Sequence, residues 1–160
     1  MPFHIWVDAD AAPVAVKDIL FRAAERTGRP LTLVANQPMA MPDLDNVNFL
    51  LVDSGFDVAD SEIVRRMNPG DLVITADIPL AADVLAKGGY ALNPRGEMYD
   101  AGTIKEKLAM RDFMSTLRDA GLAGGGPGAF GTRDKQAFAG KLDGFLTALE
   151  RNGIRDSRQE

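Results

Sequence analysis

Apolar residues recur in short runs from Phe3 to Leu149, and the runs alternate between two periods. Phe3 to Val7 is continuous in apolar and aromatic residues and stops at Asp8, the pattern of a strand buried on both faces. A helix is expected next. Pro13 suits a first helical turn, Ile19, Leu20, Ala23 and Ala24 share one face, and Gly28 is placed as a C-terminal stop. Further strands are predicted at Leu31 to Ala35, Phe49 to Val52, Leu72 to Thr75 and Tyr90 to Leu92. Helices are predicted at Asp57 to Met67, with Ala59, Ile63, Val64 and Met67 inward, and at Ile78 to Lys87. The 13 residues from Asn36 to Asn48 are about the minimum for a crossover between parallel strands.

Two more helices close the pattern. Thr103 with Glu106 reads as a capping box, followed by an apolar face of Met110, Phe113, Met114 and Leu117. In the last helix Phe138, Leu142, Phe145, Leu146 and Leu149 keep helical spacing. The order β-α-β-β-α-β-α-β-α-α predicts a single α/β domain over residues 1–150, three-layered around a mostly parallel five-stranded sheet, with two C-terminal helices and a polar, frayed tail over 151–160. Ligands of such sheets bind beyond the C-terminal strand ends.

Composition narrows the chemistry. The 160 residues are 46% hydrophobic and 26% charged, with a formal charge of −5, one histidine and no cysteine. A chain of this length buries about 70% of its unfolded surface and needs no disulfide or structural metal. Thiolate zinc sites, cysteine nucleophiles and redox pairs are excluded, and a reducing cytoplasm is the expected location. No stretch approaches the roughly 18 apolar residues of a membrane span, so neither a span nor a signal peptide is expected. The acidic balance argues against coating nucleic acid by broad phosphate neutralisation.

The acids fall at the strand ends. Asp8 and Asp10 follow the first strand, two apart, where side chains of extended chain point the same way. Asp57 and Asp60 open one helix and Asp77 another, so all five are expected on one rim. Capping explains any one of Asp10, Asp57, Asp60 or Asp77, because aspartate is a favoured N-cap and is stabilised by the helix dipole. It does not explain Asp8, which repels Asp10 unless a cation intervenes. Carboxylates without cysteine favour an oxygen-liking cation, Mg²⁺ or Mn²⁺, over zinc. Hydrolysis of a phosphodiester is the reaction that such a site most readily serves.

The segments Ile5 to Pro13, Leu33 to Asn36, Gly55 to Asp60, Leu72 to Ala81, Asn93 to Glu97, Met110 to Phe113 and Gly125 to Pro127 strongly resemble the YaiI/YqxD family of bacterial proteins, over nearly the whole chain. That family's layout resembles the PIN-like nucleases, whose strand order is 3-2-1-4-5. The resemblance implies Asp8, Asp57 and Asp77 as core metal ligands with Asp10 and Asp60 beside them. Asp8, Asp10, Asp57 and Asp77 are then the candidate catalytic carboxylates, and Asp60 joins Asp8, Asp57 and Asp77 as a candidate ligand. Nucleic acid, RNA above all, is the implied substrate. The chain departs from the family's Asp-Ala-Asp-Ala-Cys-Pro motif at Ala12, so no mechanism here can use that thiol.

Other positions carry two readings each. Arg95 suits a phosphate clamp, or a pairing with Glu97 or a loop carbonyl. Asn36 and Arg133 are further substrate-binding candidates, against a turn asparagine and a solvated charge, and Arg65 and Arg66 read as solvated too. The Gly124 to Gly128 loop lacks a P-loop ending and reads as a helix connection or lid. Trp6 reads as core and His4 as structural. Two alternatives to a nuclease stay open. A phosphatase with an aspartate nucleophile shares the strand-Asp-x-Asp start, but its lysine is missing between Lys17 and Lys87. A PIN-like module that binds a metal, nucleotide, RNA or protein without cutting fits the same fold.

Overall fold

The computed structural model describes residues 3–55, 57–122 and 128–159. Its elements are β1 (Ile5–Asp8), α1 (Val14–Thr27), β2 (Leu31–Ala35), β3 (Val47–Leu51), α2 (Val58–Arg66), β4 (Leu72–Ile74), α3 (Ile78–Ala86), β5 (Tyr90–Leu92), α4 (Ile104–Asp119) and α5 (Thr132–Gln159). The five strands form one sheet in the order β3-β2-β1-β4-β5, every neighbouring pair parallel. This is the α/β fold that the pattern predicts. No helix among the described residues is long and apolar enough to cross a membrane.

Alternation along the strands splits the core in two. Ile5, Val7, Leu33, Ile74 and Leu92 face Val16, Leu20, Phe138, Leu142 and Leu146 of α1 and α5. Trp6, Val34, Val73 and Ala91 face Ile63, Leu80, Val84 and Ile104 of α2, α3 and α4. A doubly covered parallel sheet needs apolar residues at both parities, which is why the strands read as unbroken runs. Gly28 ends α1 at φ 72°, its N–H bonded to the Ala24 carbonyl at 2.8 Å.

At the N-terminal edge of the sheet one carboxylate ties β1 to β4. Asp71, only 3% exposed, accepts the His4 backbone N–H at 3.2 Å, the Trp6 indole N–H at 3.1 Å and the Asn68 N–H at 2.8 Å. The His4 ring stacks on Trp6 and shares a 2.7 Å hydrogen bond with the Thr32 hydroxyl. Burial lowers the His4 pKa, with Asp71 opposing.

Two local expectations are corrected. The apolar face of α4 does not meet the core: Met110 is 59% and Phe113 57% exposed, while Met114 and Leu117 are half-buried. A second stripe, Ile104 with half-buried Leu108 and Ser115, takes the inward side because the buried Tyr99 and Ile104 fix how the chain enters the helix. Thr103 makes no capping bond from its side chain. Asp100 to Thr103 already form a helical turn, with the Ile104 N–H on the Asp100 carbonyl at 2.9 Å, so the threonine is not extended as a cap requires. The helix α5 is continuous to Gln159.

Removing the Asp71 carboxylate leaves buried donors without an acceptor. Asp71→Ala is expected to lower stability by about 3 kcal/mol in urea unfolding. Gly96, at φ 91°, lies against α5, and a Cβ there would come within 2.5 Å of the Ala137 carbonyl carbon. Gly96→Ala is expected to cost more than about 2 kcal/mol in the same measurement.

Candidate metal centre

Because β1 lies between β2 and β4 in parallel register, its last residue emerges beside the ends of both neighbours. Asp8 ends β1 half-buried, and its carboxylate accepts the Thr75 hydroxyl at 3.1 Å. Thr75 follows β4 directly and is 1% exposed. Its oxygen also accepts the Asp77 backbone N–H at 2.9 Å, so one buried threonine sets the positions of both acids.

Asp77 caps α3. One of its oxygens accepts the Leu80 N–H at 3.0 Å, and Pro79 fits the first turn, where no donor is needed. Asp57 holds the same position before α2 but makes no capping bond from its side chain. It is the one non-glycine at positive φ among the described residues, at 64°. Aspartate tolerates that left-handed conformation better than most residues, at a cost of about 1–3 kcal/mol. The strain turns a carboxylate that could cap α2 toward its neighbours instead.

Asp57, Asp60 and Asp77 each present an oxygen within 4.8 Å of the others. Asp8 stands next to this trio, acting electrostatically on Asp60. Of the four candidate ligands Asp8, Asp57, Asp60 and Asp77, the trio comprises the last three. Asp10 is exposed and committed elsewhere, accepting the Asn36 backbone N–H at 2.8 Å and so tying the chain after β1 to the end of β2.

Charge crowding shows in the protonation equilibria. Partial burial, then the charges of Asp77 and Asp8, a hydrogen bond with Asp77 and the charge of Asp57 push Asp60 up to about 7. Burial raises Asp8 as well, helped by Asp77 and Asp10 and opposed by the Thr75 hydrogen bond. No ion pair among the described residues involves any of these four carboxylates. The N-termini of α2 and α3 offset part of the repulsion. Beside the trio a cleft of about 380 Å³ opens between α2 and α3, reaching from Asp57 and Asp60 to Arg65 and Asp83. Arg65 is engaged by Glu62 at 2.8 Å.

The three other substrate-binding candidates line no part of that cleft. Arg95 pairs with Asp134 at 2.9 Å, donates to the Gly128 carbonyl and lies over the Phe130 ring, so it pins the chain after β5 to the start of α5. Of its two readings, the structure shows the loop carbonyl, with Asp134 in place of Glu97. Asn36 meets Asp10 through its backbone, and Arg133 is exposed in the first turn of α5. Ala12 packs against the core, where it offers no chemistry. Most of the Gly124 to Gly128 loop lies outside the described residues. Thr75 and Asp71 were missed from the sequence, since a buried polar residue at a strand end is recognisable only once its partners across the sheet are known.

Oxygen-only donors, crowded and with no ion pair to them among the described residues, fit a hard divalent cation. The family described as "Uncharacterized BCR, YaiI/YqxD family" matches residues 6–148. A UPF0178 protein of Klebsiella pneumoniae (strain 342) is 62% identical over 147 residues, 92% of this chain and 97% of its own. A UPF0178 protein of Alkalilimnicola ehrlichii is 63% identical over 144 residues, 90% of this chain and 97% of its own. One of Syntrophotalea carbinolica is 59% identical over 143 residues, 89% and 97% of the two chains. No solved structure matches the chain. The match over most of its length, with relatives this similar, makes the chain a member of the YaiI/YqxD family.

Proposed function

We propose that this protein is a divalent-metal-dependent nuclease that hydrolyses phosphodiester bonds, with RNA the favoured substrate. The observation that carries the reading is the gathering of Asp57, Asp60 and Asp77 oxygens within 4.8 Å of one another, with Asp8 alongside and, among the described residues, no cationic side chain paired to any of them. Such crowding is stable only when a proton or a cation shares the site. Mg²⁺ or Mn²⁺ held there would screen the phosphate charge and activate a water.

The residues around it fit that task. Asp57, Asp60 and Asp77 would hold the cation, and Asp8 supplies a fourth carboxylate, kept in place by Thr75. Asp10 acts on position, through Asn36. The cleft between α2 and α3 gives access for a strand. At a formal charge of −5 the protein repels a polyanion, so the cation is needed for recruitment as well as for chemistry. RNA is preferred over DNA on the likeness to PIN-like nucleases.

Calorimetric titration of Mn²⁺ is the direct test. The parent should bind saturably, and Asp60→Asn and Asp77→Asn should each weaken binding by at least about 10-fold. Cleavage of single-stranded RNA in Mg²⁺ should fall in the same two variants. Metal binding without cleavage of any RNA or DNA would favour the non-catalytic module, and binding untouched by both substitutions would remove the site.

Stability against pH gives a second check. Asp60 is raised, so it favours the fold while protonated: that contribution is complete below its ordinary carboxylate pKa and is lost as pH rises through about 7. In metal-free protein, Asp60→Asn should therefore raise the Tm relative to the parent more at about pH 8 than at about pH 5. Added Mg²⁺ should narrow that difference by stabilising the parent.

A further inference from the structure

We infer that the cleft between α2 and α3 seats one nucleotide of a single strand, next to the phosphate held at the carboxylate trio, and that Arg65 binds the phosphate on that nucleotide's far side. This rests on the proposed nuclease reading and names the form of its substrate. Both helices begin at the acid rim, so the cleft leads away from the trio along their length. Its α2 wall passes from Asp57 and Asp60 through Val64 to Arg65, and its α3 wall from Pro79 and Leu80 to Asp83. Asp60 and Arg65 are five positions apart on α2, about 7.5 Å of helix rise. That span is comparable to the step between neighbouring phosphates of an extended strand.

Each part of the wall suits one part of a nucleotide. Val64 and Pro79 are half-buried and Leu80 is buried, an apolar stretch on which a base or ribose can lie. At about 380 Å³ the cleft has room for one nucleotide, and a duplex is too wide to enter between two neighbouring helices. Arg65 stands at the far end with a charge that is not cancelled. It spends one guanidinium nitrogen on Glu62, and the same carboxylate oxygen also accepts from Arg66, at 2.8 Å each, so two cations share one anion. The other donors of the Arg65 fork are unengaged among the described residues, and a planar fork matches a phosphate. Lys87 donates to the Val64 carbonyl at 2.6 Å, which holds the end of α2 against the end of α3 and so fixes where Arg65 stands. On the facing wall Asp83 forms no ion pair among the described residues, and its charge directs a phosphate to the Arg65 side.

Fluorescence anisotropy of a short labelled single-stranded RNA, titrated with the full chain in Ca²⁺ over a series of KCl concentrations, tests this. Arg65→Ala should weaken binding by about 5-fold and flatten the slope of log affinity against log salt by about 0.7, the share of one single-strand phosphate contact. The loss should be the same for uridine-rich and adenosine-rich strands, because a phosphate contact carries no sequence information. The duplex of the same sequence should bind at least about 10-fold more weakly than the strand. Calorimetric Mn²⁺ affinity and Tm should stay those of the parent in Arg65→Ala, since Arg65 is exposed. Affinity and slope unchanged by Arg65→Ala, or a duplex that binds as tightly as the strand, would overturn the inference, while retained Mn²⁺ binding leaves the metal site standing. A parent that binds no Mn²⁺ would overturn the nuclease reading and this inference with it.

Discussion

The pairing of β1 with β4 is the constraint on which the rest depends. These two strands are separated by most of the chain's first half in sequence, yet Ile5, Trp6 and Val7 lie opposite Leu72, Val73 and Ile74. That register makes Asp8 and Thr75 the next pair along, and so sets where the site begins. Asp71 enforces it from the other end by accepting donors from His4 and Trp6 of the β1 side and Asn68 of the β4 side. Parallel strands cannot be joined by a tight turn, so no local contact could fix this register. A buried carboxylate with several N–H partners does so because any slip would leave those groups unpaired.

Beyond that register, the acid rim is built by spending local stability. Asp57 is held in a left-handed conformation without capping its helix, Asp60 is crowded until its pKa reaches about 7, and Asp8 is raised by burial and by its neighbours. Each is a cost that a purely structural arrangement would avoid, for instance by letting Asp57 cap α2. Strain and like-charge crowding collect where a ligand is to be bound. The offsets are local too: two helix N-termini point their dipoles at the cluster, and Thr75 donates to Asp8.

Legibility from sequence followed the range of the interactions involved. Strand and helix identities were readable because an unbroken apolar run and a 3.6-residue period are local signals; β2 and β5 begin and end where the run does. The rim of acids was readable because the C-terminal ends of parallel strands share one edge of the sheet, whereas the strand order came from the resemblance to PIN-like nucleases. Their contacts within the rim were not, since neither the positive φ of Asp57 nor the Thr75 hydrogen bond to Asp8 has a local sequence signal. Asp71 gave no signal because its partners are contributed by distant segments. α4 failed differently. It carries two apolar stripes, and periodicity alone ranks the larger one as core, whereas chain entry through Tyr99 and Ile104 selects the smaller.

That last failure is informative about the molecule. A helix normally presents its most apolar face to its own core, since that burial supplies most of its stability. In α4 the face with two methionines, a phenylalanine and a leucine is turned outward, while the inward side includes Ser115 and Lys107, the latter paired with Glu97. Among the described residues, the layer formed by α2, α3 and α4 carries both the carboxylate trio and the exposed Met110 and Phe113. In the opposite layer Phe138, Leu142 and Leu146 of α5 are buried against the sheet, and Arg95 with Asp134 ties α5 to the chain after β5. Both faces of the sheet thus hold the fold together, and the carboxylate trio gathers on the side of α2 and α3.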